Sequence, residues 1–531
     1  MLLLVWFVTI VAALVLYLRQ LHSKFSNSEV KHFKFVRSLC DFAKIILRVN
    51  HFTVDLHRYY DSFPEERFVG KYDFLNPSIM LRDLDLVKKI TIKDFEYFLD
   101  HRVFVDDKLD PFFGRNLFAL KGQEWKDMRT TLSPAFTSSK IRLMVPFMNE
   151  VGNQMIQALK AKIKDSGVDY IDIESKDLAT RYANDVIASC AFGLKVNSHV
   201  DENNEFYEMG KKATTFKYAQ MLKFFCFICF PKVMAKLKIK LFAANISNFF
   251  KNIVLNTMTT REECNIVRPD MIHLLMEAKK GKLKYDDKVT QDSNAGFATV
   301  EESSVGKEVV NRVWSDSDLV AQAVIFFFAG FESVSSVMCF ALHELTINPD
   351  VQKRLAEEIK ENDIKNNGKF DYKSIQDMVY MDMVLSEVLR LWPPAIGLDR
   401  VCIKDYNLGK PNSKSTEDYI IRKGEILGIP VWAIHRDPKY FPNPTKFDPE
   451  RFSEENKDKI QPFSYMPFGL GPRNCIASRF ALCEVKVMLY QLLQHMELTP
   501  CEKTCIPTQL ATDTINLRIK GGHWLRMKIR S

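Results

Sequence analysis

Cys475 lies in the run Pro467-Phe468-Gly469-Leu470-Gly471-Pro472-Arg473-Asn474-Cys475-Ile476-Ala477. A thiol there follows a glycine-rich loop and precedes a segment with apolar residues at helical spacing, among them Phe480, Leu482, Val485, Leu489 and Leu492. A helix N-terminus aims unpaired amides and the positive end of its dipole at the sulfur, which favours thiolate over thiol. A single thiolate so placed is a ready axial ligand for haem iron. Gly469 and Gly471 let the backbone turn tightly and approach a flat macrocycle. Arg473, two residues before the sulfur, can reach a haem propionate as a charge-assisted donor. A second run, Ala329-Gly330-Phe331-Glu332-Ser333, sets two residues without bulky side chains beside an acid and an alcohol. Ala329 and Gly330 leave a groove for dioxygen and a substrate carbon, and Glu332 with Ser333 can relay the protons that O–O cleavage needs. Trp125 and Arg129, at i,i+4, put an indole N–H and a guanidinium on one helix face, a pair suited to a propionate.

Phe468, Gly471, Arg473 and Cys475 fall at the spacing of the haem-binding signature of cytochrome P450 monooxygenases, which this loop resembles. It departs where Ala477 replaces the usual Gly, and Ser333 stands where the family usually has Thr, keeping the hydroxyl but losing the methyl that fixes its rotamer. Glu387 and Arg390, at i,i+3 before Trp392-Pro393-Pro394, together with Arg451 in Pro449-Glu450-Arg451-Phe452, resemble the family's buried Glu–Arg–Arg network. The resemblance gives these three a structural role in fixing the loop of Cys475. It also implies that Arg400 and His435 contact the propionates alongside Trp125, Arg129 and Arg473. Similarity to microsomal members covers the chain beyond residue 55. The wording of 95–105 and of 185–193 is closest to insect detoxification families, allied to the vertebrate drug-metabolising group. The implied fold is mainly α with a small β subdomain, a long central helix over haem b and the thiolate loop beneath.

The elements that must position these groups are legible in outline. Ser315-Asp316-Ser317-Asp318 supplies helix-start residues. The apolar run after it predicts a helix to about Asn348, where Pro349 forces a break and opens another helix. Such a helix of about 32 residues rises roughly 48 Å, enough to cross a large domain. Glu332 and His343 within it favour a buried core helix over a membrane span. Short strand-like runs occur near 67–72, 78–81 and 514–529, and 281–314 is polar and aperiodic, a flexible surface loop. The segment 223–241 mixes aromatics with Lys232, Lys236, Lys238 and Lys240, and reads equally as a membrane-resting segment or an amphipathic helix pair.

The 531 residues contain no linker or internal repeat, and 47% apolar with 26% charged residues describes a globular chain with a large core. The 40 phenylalanines suit the walls of an apolar cavity. A net charge of +8 without a basic stripe argues against nucleic acid and for an anionic membrane or acidic partner. Eleven cysteines at irregular spacing form no disulfide framework, and the CxxC of Cys226 and Cys229 is embedded in apolar residues that favour packing over redox or zinc chemistry. Residues 1–18 are apolar except Thr9, and about 27 Å of helix just spans a bilayer core. No Lys or Arg precedes them, whereas Arg19, Lys24, Lys31, Lys34 and Arg37 follow, which leaves the remainder in the cytoplasm. The expected organisation is an anchor over 1–18, a connecting segment over 19–55 without the family's Pro-rich hinge, and one catalytic domain over 56–531.

Gly469-Leu470-Gly471 begins like a dinucleotide fingerprint but reaches Asn474 at its sixth position, and no flavin domain follows. Electrons from NADPH must therefore come through a partner reductase, docking near Lys121 and Lys126, with cytochrome b5 as a second donor. The expected activity is insertion of one atom of O2 into apolar small molecules held by Phe112, Phe113, Phe328, Ala329 and Ala395, on the cytosolic face of the endoplasmic reticulum. A peroxide-rearranging isomerase and a haem-bearing binder without turnover are the rivals.

Overall fold

Ser315 opens the central helix: its hydroxyl accepts from the Asp318 N–H at 3.2 Å, and the Asp318 carboxylate accepts from the Ser315 N–H at 3.0 Å. This reciprocal cap satisfies two of the amides that a helix start leaves unpaired. In the computed structural model, which describes residues 2–530 apart from 27, 34, 74–75, 106, 215–217, 281–295, 301–304 and 306–311, the helical course runs Asp316–Ile347, 32 residues. It ends as expected, with Pro349 in the first turn of the next helix, Pro349–Lys365. Length and composition would let it cross a membrane, yet every side chain from Ser335 to Thr346 is buried in protein. It is a core helix. Ser175–Ile187 and Val379–Leu391 pack on its C-terminal half, while Ser478–His495, which follows Cys475, packs on Ser138–Ser166.

The strands are short and lie to one side. Four form a sheet in the order β1-β2-β7-β4, from β1 (Phe68–Asp73), β2 (Asn76–Leu81), β4 (Leu398–Val401) and β7 (Ile426–Ile429). β2 runs parallel to β7 with Ile79 opposite Leu427, and β4 is antiparallel to β7 with Arg400 opposite Leu427. β3 (Tyr170–Glu174), β8 (Met496–Thr499) and β9 (Trp524–Ile529) make a second sheet ordered β3-β9-β8, and β5 (Tyr406–Gly409) pairs with β6 (Tyr419–Ile421). Only the last part of the strand-like run 514–529 is strand. Residues 509–520 instead form a hairpin pinned by Ala511 N–H to Arg518 O at 2.9 Å and Lys520 N–H to Gln509 O at 2.8 Å.

One large apolar cluster fills the helical body and a smaller one lies against the first sheet. The connecting segment docks on that sheet: Phe25 and Val30 are buried, and the Lys31 carbonyl accepts from the Gly70 N–H at 2.9 Å. Gly70 is required there, because a Cβ would lie 2.7 Å from the Phe25 ring. Leu2–His22 forms a helix with Trp6, Phe7, Ile10 and Leu16 exposed. The segment 223–241 contributes to a pair of helices, Tyr218–Cys229 and Pro231–Lys236, with Phe225, Phe227 and Met234 buried and Phe230, Val233 and Leu237 exposed. Cys226 and Cys229 are free thiols, as are the other nine. Most of the expected loop 281–314 lies outside the described residues.

Candidate active site

The Cys475 N–H donates to the Phe468 carbonyl at 2.8 Å, closing the loop between them. Gly469 and Gly471 take φ of 79° and 69°, the left-handed region that favours glycine. A Cβ on Gly471 would stand 1.8 Å from the Thr91 carbonyl oxygen. That glycine is thus demanded by the turn Lys89–Lys93 beneath the loop, a tertiary reason in addition to the close macrocycle approach expected from sequence. Cys475 is enclosed by protein yet keeps accessible surface, and so do Ala329, on the central helix between the buried Phe327 and Phe331, and Ala395. Accessible side chains inside a packed body mark an internal cavity. Burial pushes the Cys475 thiol up, against the Ala477 amide and Arg129, which pull it down. The helix Ser478–His495 starts three residues beyond the sulfur, so its dipole alone does not secure the thiolate. A cation bound over the sulfur reverses that balance, since a coordinated thiol is deprotonated.

Three buried guanidiniums crowd the edge of the site. Arg129, on the helix Gly122–Leu132, donates to the Asn474 carbonyl at 2.8 Å and to its side-chain oxygen at 2.7 Å. Arg473 donates to the Leu99 and Leu120 carbonyls at 2.7 and 2.8 Å and lies over the Trp125 ring at 4.0 Å. Arg400 donates to the Asp399 carbonyl at 2.7 Å. Burial, with Arg400 and Arg129 nearby, lowers Arg473 to about 9 despite Asp100 at 3.6 Å. Burial alone lowers Arg400 to about 10. Asp399 offers little relief, because its carboxylate already accepts from His101 Nδ1 at 3.0 Å and the Arg102 N–H at 2.6 Å. A buried excess of positive charge beside an enclosed cysteine fits a flat group carrying two carboxylates. Sequence reasoning missed His101 and Asp399. The likeness of 95–105 to the family was the only signal for the first.

His435 belongs elsewhere, and its expected contact with a propionate is corrected. Its Nδ1 meets the Arg390 carbonyl at 3.1 Å and its Nε2 accepts from the Met466 N–H at 3.0 Å, so neither nitrogen is left for a carboxylate. Burial and then Arg390 lower its pKa to about 3, so the ring is neutral. Arg390 meanwhile grips Glu387 with two bonds of 2.7 and 2.8 Å and donates to the carbonyls of His435 and Pro444, both at 2.8 Å. Arg451 reaches Glu387 at 3.4 Å. The three residues of the network come together, and His435 extends it to Met466, two residues before Phe468.

Over the opposite wall, the central helix widens into a π turn, Gly330–Val334, an irregularity frequent at functional sites. The Ser333 hydroxyl donates to the Ala329 carbonyl at 2.5 Å. Glu332 is not bonded to it. Its carboxylate is ion-paired with Arg518, accepts from Asn516 Nδ2 at 3.1 Å and lies 3.5 Å from Lys176 Nζ. Phe328 stacks on Phe242 at 4.9 Å, and Phe112 meets both rings edge-on at 6.2 and 5.6 Å. Phe242 joins this aromatic wall without having been marked in the sequence. Phe113 packs on the cluster of Val105, Phe227 and Met234. Of the two surface lysines, Lys126 is paired with Glu96 at 2.7 Å.

An enclosed cysteine, a ring of buried guanidiniums and a π-kinked helix above a glycine-rich loop define a haem-thiolate protein. A family profile described as cytochrome P450 matches residues 42–526. Cytochrome P450 9e2 of Blattella germanica is 44% identical over 522 residues, 96% of this chain and 94% of that one. Probable cytochrome P450 9f2 of Drosophila melanogaster is 46% identical over 474 residues, 88% of this chain and 87% of its own. Probable cytochrome P450 6a13 of the same fly is 38% identical over 463 residues, covering 87% and 86%. The chain belongs to the cytochrome P450 family. It is a haem-thiolate monooxygenase of the insect detoxification type, holding haem b on a cysteine and taking electrons from NADPH through a reductase.

Proposed function

We infer that Cys475 would supply the thiolate that binds the haem iron and that Trp125, Arg129, Arg400, Arg473 and Phe468 would hold the haem. The observation that carries this is the buried guanidinium cluster lining the approach to an enclosed cysteine. Once bound, the haem supplies O2 activation, with the thiolate favouring O–O cleavage. The residues around it bind, orient and exclude water. Phe112, Phe242, Phe328, Ala329 and Ala395 present an apolar surface to the substrate, with Phe113 roofing it, which selects apolar molecules by desolvation. Ser333 and Glu332 handle protons. Glu387, Arg390 and Arg451 keep the loop of Cys475 in place.

Residues 1–18 act as a membrane anchor, with the domain 56–531 on the cytosolic face of the endoplasmic reticulum. Support comes from the apolar exposed helix Leu2–His22 and from Phe230, Val233 and Leu237, exposed beside Lys232 and Lys236. Reductase, and cytochrome b5 as a second donor, dock on the face carrying Lys121. The test is reconstitution with reductase in vesicles and a panel of apolar terpenoids, insecticides and steroids. The thiolate-type band of the reduced CO complex and substrate-stimulated NADPH consumption are expected, both lost in Cys475→Ala. A normal band with no stimulation across the panel identifies a haem-bearing binder instead.

A further inference from the structure

The acid of the proton-handling pair is tied through one short hairpin to a cavity lined by none of Phe112, Phe242, Phe328, Ala329 and Ala395. Glu332 accepts from Asn516 and is ion-paired with Arg518, both on residues 509–520. Arg518 also donates to Ser336 at 3.0 Å, and Ser336 lies 3.4 Å from the same carboxylate oxygen. From the opposite side comes Lys176, on the helix Ser175–Ile187, itself bonded to Ser335 at 2.5 Å. Immediately before Asn516 stands Ile515, which lines a cavity of about 460 Å³ together with Phe224, Phe225, Ile396 and Leu398. One side of a four-residue stretch touches the space that an apolar molecule would fill, and the other holds the acid.

We propose that the hairpin 509–520 is a brake on Glu332, released when an apolar molecule in this second cavity presses on Ile515. With the cavity empty, Arg518 and Asn516 keep the carboxylate turned away from Ser333. Displacing the hairpin frees it to swing to the Ser333 hydroxyl. Burial raises the Glu332 pKa while Lys176 and Arg518 outweigh it and hold the group below the usual carboxylate range. The clamped acid is therefore ionised and has no proton to give. Loss of Arg518 lets burial push it toward the protonated form, loaded from water, that can donate. Lys176 and Arg518 thus act as positioning residues, through Glu332. The proposal rests on the reading of Glu332 and Ser333 as the proton-handling pair.

The balance of oxygen reduction exposes such a brake even without substrate. Peroxide takes two electrons and two protons per O2, whereas water takes four of each and needs a proton at the distal oxygen. In full-length holoenzyme with reductase and no substrate, peroxide per NADPH should fall roughly threefold in Arg518→Gln and in Ile515→Trp, which crowds the hairpin as a ligand would. Arg518→Lys should keep the wild-type ratio, and adding Glu332→Gln to either variant should restore it. Independently of turnover, amide hydrogen exchange across 509–520 should quicken in Ile515→Trp and Arg518→Gln, in haem-loaded and haem-free protein alike. A wild-type ratio in Arg518→Gln, a fall that survives Glu332→Gln, or unchanged exchange in Ile515→Trp overturns the brake. If Glu332→Gln alone leaves both the peroxide per NADPH and the solvent isotope effect on NADPH consumption as in wild type when a turned-over substrate is present, the pair's role itself fails.

Discussion

His435 shows what a single side chain contributes when its surroundings fix both ring nitrogens. It accepts from Met466 and meets the Arg390 carbonyl, stacked 5.5 Å from the Tyr465 ring. His435→Ala strands a buried N–H and a buried C=O, a loss of about 2–4 kcal/mol. We expect a clear drop in thermal melting while haem affinity, measured where both proteins are folded, stays near wild type; a selective loss of haem affinity would return His435 to the propionates. The sign of its pH dependence follows from a folded pKa of about 3 against an ordinary 6.5. The unfolded chain binds the proton more readily between those values, so stability rises with pH from 3 to 6.5 and is level above. His435→Ala should flatten that slope in denaturant titrations. The residue was legible in the sequence as functional, but its role was not. Arg390, whose carbonyl it meets, lies 45 residues away.

The loop and the turn under it form one element-scale unit. Gly471→Ala places a Cβ 1.8 Å from the Thr91 oxygen at a positive φ, so either the loop or Lys89–Lys93 must shift. Haem content per polypeptide should fall at least about threefold, with the CO complex losing its thiolate band, because a displaced Cys475 could not hold the haem as proposed. Retention of full haem content and of the thiolate band in that variant would show the loop to be more pliant than its packing indicates. The central helix was readable from its cap, its apolar run and Pro349. Its π turn was not, since nothing local in Gly330–Val334 specifies a widened turn; the packing of Ser175–Ile187 and Ser478–His495 against it does.

At the scale of the whole molecule, charge and exposed apolar surface set the partners. Lys126 shares its charge with Glu96, so Lys121, exposed at the start of Gly122–Leu132, is the better probe of reductase docking. Lys121→Glu should raise the reductase concentration for half-maximal turnover several-fold at low salt and much less at high salt, because exposed charges are screened. An unchanged titration would move the docking face. For the membrane, replacing Phe230, Val233 and Leu237 by Ser in a chain lacking residues 1–20 should shift protein from vesicle pellet to supernatant, since each exposed apolar side chain adds roughly 1.5–3 kcal/mol of burial. Equal partitioning of the two truncated proteins would leave Leu2–His22 as the sole contact.

The loop of Cys475, the Glu387–Arg390 pair and the capped start of the central helix, and with them the haem-thiolate reading, are each written within a few consecutive residues whose spacing the backbone converts directly into geometry. That His435 braces the network, that His101 and Asp399 join the guanidinium cluster and that Glu332 pairs with Arg518 emerges from contacts made in the folded chain. Those partners are separated by as many as 298 residues in the chain. What unites them is burial, which makes each unpaired charge or amide costly and so selects its neighbour from whatever the fold brings within reach.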